Sequence, residues 1–165
     1  MAVFDRLDKA DGVKGGIMVA DDFANYIANA IEWAKQRLGS TDYALRCLAF
    51  VEDAYEQSNH VEIFGGSSAQ ESADEYGAAQ NLGTPPIGSF VFYGCSGLVN
   101  GELKDWGHVG LCIGDGQVIH AWSTVRIDGY LDVQNLEPAP TWTPPRYSGW
   151  APIERVFSGY RKRSH

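Results

Sequence analysis

A cysteine, Cys47, and two histidines, His108 and His120, are the residues of this 165-residue chain that could together perform nucleophilic chemistry. A thiolate attacks carbonyl carbons, and an imidazole can take the thiol proton and return it to a leaving group. A second polar group on the first ring's other nitrogen fixes its tautomer. Cys47 is therefore expected as nucleophile, His108 as general base and His120 as the group that orients it. An oxyanion needs N–H or O–H donors, and the backbone N–H of Cys47 with the Tyr43 hydroxyl could supply them. Trp106 and Trp122 flank the two histidines and could wall a substrate cleft.

These residues need elements to hold them. Phe23, Tyr26, Ile27, Ala30, Ile31, Ala34 and Leu38 recur at three- and four-residue intervals, which predicts an amphipathic helix that Asp21 or Asp22 can cap and Gly39 can end. A second helix is expected from about Leu45 to Gln57, with Cys47, Phe50, Val51 and Ala54 on its core side. Cys47 near its start gains from the helix dipole, which favours thiolate. Ser68-Ala69-Gln70-Glu71 matches a capping box that opens a short helix to about Gln80. Residues 58–66 read as loop.

From Ser89 the chain turns to β character, over Phe90 to Tyr93, His108 to Ile113, Gln117 to Trp122, Val125 to Tyr130 and a last edge strand from Ala151 to Phe157. The proline-rich stretch Glu137 to Gly149 reads as a surface excursion before it. Helices first and strands later give an α+β fold, with N-terminal helices packed on an antiparallel sheet. One domain over residues 1–165 is expected, with an irregular lead-in to about residue 20.

The hairpin decides whether the histidines meet. Val109, Leu111 and Ile113 point to one face of their strand, while His108, Gly110 and Cys112 point to the other. If Asp115-Gly116 alone makes a two-residue turn, His120 lies opposite Leu111 and the histidines occupy different faces. If Gly114-Asp115-Gly116 is a three-residue loop, His120 lies opposite Gly110, on the face of His108. The proposed chemistry requires the second outcome. Cys112 is then expected to serve packing only.

Composition narrows the partners. A net charge of −8 and a pI near 4.8 work against nucleic-acid binding, which draws on Lys and Arg to neutralise phosphates. Arg161-Lys162-Arg163 reads as a solvated tail. No apolar run is long enough for a membrane span, and the N-terminus lacks the pattern of an export signal, so the chain as written is expected in the cytoplasm. Cys47, Cys95 and Cys112 form neither an even disulfide set nor a C-x-x-C zinc pattern, and the chemistry calls for no metal or other cofactor.

A cysteine-bearing helix, a Gly-Ser-Phe-Val-Phe-Tyr strand, and then Gly-His-Val-Gly-Leu-x-Ile-Gly-Asp-Gly-x-x-Ile-His-Ala together resemble the NlpC family of cell-wall cysteine peptidases over roughly residues 24 to 130. The resemblance implies a papain-like fold with the nucleophile at a helix N-terminus, and the triad Cys47, His108 and His120. It also implies a peptide or muropeptide substrate, with amide cleavage in peptidoglycan stem peptides. A role of that kind implies an envelope or secreted location. The cysteine half departs from the family, where Asp precedes the nucleophile and Ser-Gly follow it; here Arg46 precedes and Leu48-Ala49 follow. Arg46 would suit an anionic or differently capped substrate, and Tyr43 stands in a shortened version of the family's tyrosine loop. Cys95-Ser96-Gly97 reads like the family's nucleophile motif, but it follows a strand only 13 residues before His108. Acyl transfer through the same triad, a non-catalytic binding module and a Cys/His/His zinc site are the rival readings.

Overall fold

The computed structural model describes residues 20–162, so the lead-in over residues 1–19 and Arg163 lie outside the described residues. Helix α1 spans Ala20–Lys35 and α2 spans Cys47–Asn59. Since α1 begins at Ala20, Asp21 and Asp22 lie inside it rather than at its cap. Gly39, at φ +85°, closes the turns that follow. On α2 the buried side chains are Phe50, Val51, Ala54 and Tyr55, the expected core stripe. Helix α3, Ala69–Tyr76, starts as a capped helix should: the Ser68 hydroxyl accepts the Glu71 N–H. The reciprocal half differs, because the Glu71 carboxylate accepts from the Ser67 N–H and hydroxyl instead.

The strands are β1 (Val61–Glu62), β2 (Phe90–Gly94), β3 (Ser96–Val99), β4 (Glu102–Asp105), β5 (His108–Gly114), β6 (Gln117–Ala121), β7 (Val125–Gly129), β8 (Arg146–Ala151) and β9 (Arg161–Lys162). A five-stranded antiparallel sheet runs in the order β7-β6-β5-β2-β8. One face carries Phe90, Phe92, Val109, Leu111 and Ile119, packed in one core with Phe50, Val51 and Tyr55 of α2. Burying each such side chain contributes about 1.5–3 kcal/mol. The other face carries a smaller cluster of Val91, Tyr93, Cys112, Val118 and Val133. Strand alternation places the histidines with this second set. The arrangement is the expected α+β fold of helices on an antiparallel sheet.

Two local expectations change, and one hairpin is added to them. The last sheet strand comes early, over Arg146–Ala151, and Pro152 then caps a short helix α4, Ile153–Val156. Proline suits that boundary because a helix start leaves its N–H groups without intrahelical acceptors anyway. Second, β3 and β4 form a separate hairpin around Asn100-Gly101, both at positive φ. Asn-Gly is a strong hairpin signal, and the sequence carried it. Third, residues Arg161 and Lys162 pair along the backbone with Glu62 and Val61, so neither residue 61–62 nor residue 161–162 is plain loop or tail. Among the described residues no helix is long and apolar enough to cross a membrane.

Candidate active site

The turn between β5 and β6 is the two-residue kind, Asp115-Gly116, both at positive φ, with Gly114 paired to Gln117. On a regular ladder that turn would put His120 on the wrong face. A bulge between Cys112 and Gly114 absorbs one residue, however, and beyond it Cys112 pairs with Val118 and Leu111 with Ile119. The expected three-residue loop is therefore replaced by a tight turn plus a bulge, and both give the same register. One step further along the ladder Gly110 faces His120; a Cβ built on Gly110 would lie 3.0 Å from the His120 Cβ.

The histidines meet. His108 Nε2 is 2.8 Å from His120 Nδ1, with both rings buried. His120 Nε2 is in turn 2.8 Å from Asp128 Oδ2. Arg126 completes the row, donating to Asp128 through Nε at 2.8 Å and through its terminal nitrogen at 3.0 Å. Trp122 stands edge-on to His108, ring centroids 5.0 Å apart, and Tyr93 lies 5.9 Å from His108 on the neighbouring strand. Arg126, Asp128 and Tyr93 were not singled out from sequence. The signal was there in Val125-Arg126-Ile127-Asp128, whose alternation puts the two charged residues on the His120 face, with Arg126 directly across from His120.

Cys47 is the first residue of α2 and half-buried. Arg46 occupies the N-cap without a side-chain bond to the helix, and the first turn holds no acidic residue. The sulfur faces the backbone N–H of Val109, the residue after His108, and the N–H groups of Leu48 and Cys47 itself. Burial pushes the thiol above its ordinary value, and the three N–H groups pull the other way without overcoming it. His108 is held well below the ordinary imidazole value, first by burial and then by His120. His120 is also lowered by burial, against the opposing pull of Asp128. Burial thus favours the uncharged form of the thiol and of both imidazoles.

The chain enters α2 through a sharp bend. Leu45 adopts φ +65°, a conformation costly for a residue with a branched side chain, and is 88% exposed. Arg46 is exposed beside it, its guanidinium 5.1 Å from the centre of the Tyr43 ring. The Tyr43 hydroxyl donates to Asp53 at 2.7 Å. That bond commits the hydroxyl proton to Asp53. Trp106 is fixed by its ring N–H to the Gly97 carbonyl at 3.0 Å and by Lys104 over its ring at 4.2 Å. Its own carbonyl accepts the Gln70 N–H at 3.0 Å, so α3 buttresses the approach to His108.

The other two thiols are engaged by backbone carbonyls. Cys95 is buried, donates to the Thr143 carbonyl at 3.4 Å, and is pushed up to about 11, chiefly by burial. It follows a strand and has no helix N-terminus behind it. Cys112 is buried in the smaller cluster and donates to the Pro85 carbonyl at 3.4 Å. Among the described residues no group of three or more His, Cys, Asp or Glu side chains is arranged to hold a metal ion.

The sequence model of the NlpC/P60 family matches residues 34–141, the stretch that carries Cys47, both histidines and Asp128. Two solved structures are similar to this chain. One is the P60 domain of an antigen from M. avium subspecies paratuberculosis, 16% identical, with a TM-score of 0.45 over 76% of this chain and 96% of that one. The other is the peptidoglycan hydrolase RipB of Mycobacterium tuberculosis, 16% identical, with a TM-score of 0.46 over 87% of this chain and 74% of that one. No curated protein matches it in sequence. With the family pattern running through well over half of its residues, the chain belongs to the NlpC/P60 family.

Proposed function

We propose that this protein is a cysteine peptidase or amidase, a single papain-like domain that cleaves an amide bond in peptidoglycan stem peptides or a related small peptide. Family membership supports a cell-wall peptidase in general. The observation that carries the finer reading is the 2.8 Å contact between His108 Nε2 and His120 Nδ1, together with a helix-terminal cysteine whose sulfur faces the N–H of Val109, the residue after His108.

In this reading Cys47 attacks the scissile carbonyl as its proton passes to His108, because neither group is charged beforehand. Proton transfer and attack are then coupled, with the imidazole acting as general base and not as a preformed imidazolium. The tetrahedral oxyanion is held by N–H groups at the start of α2. His108 next protonates the leaving amine, and a thioester remains on Cys47. Water, deprotonated by the same imidazole, hydrolyses it and restores the thiol. His120 keeps the His108 ring in place throughout. Trp122 walls the cleft beside His108 and Trp106 the approach to it. Tyr43 supports the Arg46 guanidinium through its ring. Arg46, exposed one residue before the nucleophile, engages an anionic group of the substrate.

The test is hydrolysis of a panel of muropeptides by Cys47→Ala, with folding checked by circular dichroism. Activity is expected to fall by about 10³-fold or more. Hydrolysis that survives in a folded variant rejects Cys47 as nucleophile.

A further inference from the structure

The row of groups behind His108 does not stop at His120. We propose that Asp128, clamped by Arg126, is a positioning residue that locks both histidines into the one pair of tautomers that leaves His108 Nδ1 free to receive the Cys47 proton. The inference deepens the peptidase reading and rests on it.

Donor and acceptor roles fix the assignment. An ionised carboxylate can only accept. Burial pushes the Asp128 carboxyl up, but hydrogen bonds from Arg126 and His120 outweigh it and hold the group below its ordinary value, so it is ionised near neutral pH. At 2.8 Å, His120 Nε2 must then carry a proton. His120 is neutral, so its Nδ1 carries none and can only accept. The 2.8 Å contact between His120 Nδ1 and His108 Nε2 therefore requires the proton on His108 Nε2. A neutral His108 protonated there has an unshared pair on Nδ1, the nitrogen not engaged with His120. Each assignment follows from the one before, and the first follows from Asp128.

Arg126 and Asp128 form more than a surface ion pair. The Asp128 side chain is 14% exposed and the His120 side chain fully buried, while Arg126 is 42% exposed. Asp128 Oδ2 accepts from both His120 and Arg126, and Oδ1 accepts from Arg126 alone. Two guanidinium bonds hold the carboxylate plane, which aims one oxygen at the buried ring. The strand register builds this in: Arg126 pairs with His120 and Asp128 with Val118, so the carboxylate reaches His120 along the diagonal.

Asp128→Asn tests the chain of assignments because an amide can donate where a carboxylate cannot. With its amide nitrogen turned to His120 Nε2, at the loss of the Arg126 Nε–H bond, the asparagine moves that ring's proton to Nδ1, which then donates to His108 Nε2 and leaves the His108 proton on Nδ1. The base is blocked without any change of shape. For D128N we expect kcat on a muropeptide substrate to fall at least about tenfold with KM within about twofold. Asp128→Glu should recover part of kcat. Nitrogen-15 shifts of the imidazoles read the tautomers directly: His108 protonated at Nε2 and His120 at Nε2 in the unmodified protein, and both inverted in D128N.

Wild-type kcat or unchanged tautomers in Asp128→Ala, which leaves His120 Nε2 without its carboxylate acceptor, overturn the proposal. So does a wild-type spectrum with His120 protonated at Nδ1, a measurement that needs no variant and so survives a misfolded D128N. If Cys47→Ala keeps its activity, the peptidase reading fails by itself, and the tautomer spectra still decide whether Asp128 sets the histidines.

Discussion

Gly110 and His120 face each other across β5 and β6 so closely that no side chain fits at Gly110: a Cβ there would run into Val118 Cγ1 and lie 3.0 Å from the His120 Cβ. The glycine leaves room for the Val118 side chain and the base of the His120 side chain. Gly110→Ala should therefore displace His120 as well as strain the hairpin. We expect a loss of about 1–3 kcal/mol in urea unfolding, typical of overpacking, and a fall in kcat larger than that of a distant variant of equal stability. Full activity at reduced stability would show that His120 tolerates the shift.

The Tyr43 hydroxyl bonds to Asp53 and not toward the nucleophile. Tyr43→Phe should leave kcat within about twofold while costing roughly 0.5–1.5 kcal/mol of stability, the net contribution of an ordinary hydrogen bond. A drop in kcat of about 10² or more would assign the hydroxyl to the oxyanion after all.

Burial raises the Cys47 thiol and lowers the His108 imidazole, so both groups are expected to rest uncharged. The rate of Cys47 alkylation by iodoacetamide should climb only in the alkaline range, above the ordinary thiol value. A reactive plateau in mildly acidic solution would reveal a resting thiolate–imidazolium pair instead.

His108 and His120 are both held below the ordinary imidazole value of 6.5, chiefly by burial. The unfolded chain then binds more protons than the folded one once pH drops under that value. Stability is retained above about pH 6.5 and declines as pH falls toward the depressed folded values. Urea unfolding across this range should show the decline, and a His108→Asn, His120→Asn double variant should flatten it. Equal slopes in the two proteins would count against the buried neutral pair.

Glu52 acts in the opposite direction. Burial first, then Glu56 and Asp53, push its carboxyl up to about 7. Its contribution is fully present below the ordinary carboxylate value and is lost as pH rises through about 7. Glu52→Gln should accordingly stabilise the protein at pH values above about 8, by on the order of 1–3 kcal/mol, and do little in acid. Equal stabilisation at both extremes would point to packing rather than charge.

Much of this site was legible in the residues themselves. The three- and four-residue spacing from Phe23 to Leu38 and from Cys47 to Ala54 gave both helices, because a helix must bury one stripe. Period-two alternation from His108 and from Gln117 gave the strands, and their order gave helices packed on an antiparallel sheet. The types Cys, His and His supplied the groups that the proposed chemistry uses.

Tertiary structure decided the rest. Local sequence could not choose between a two-residue and a three-residue turn at Gly114-Asp115-Gly116, since a bulge at Ile113 makes either compatible with the same histidine register. Nor could it show that Tyr43 commits its proton to Asp53, or that Asp128 reaches diagonally across to His120, because both depend on where separate elements come to rest. Residue identity fixed which chemistry was available to this protein. Register and burial determined which atoms meet, and with them which group carries the proton.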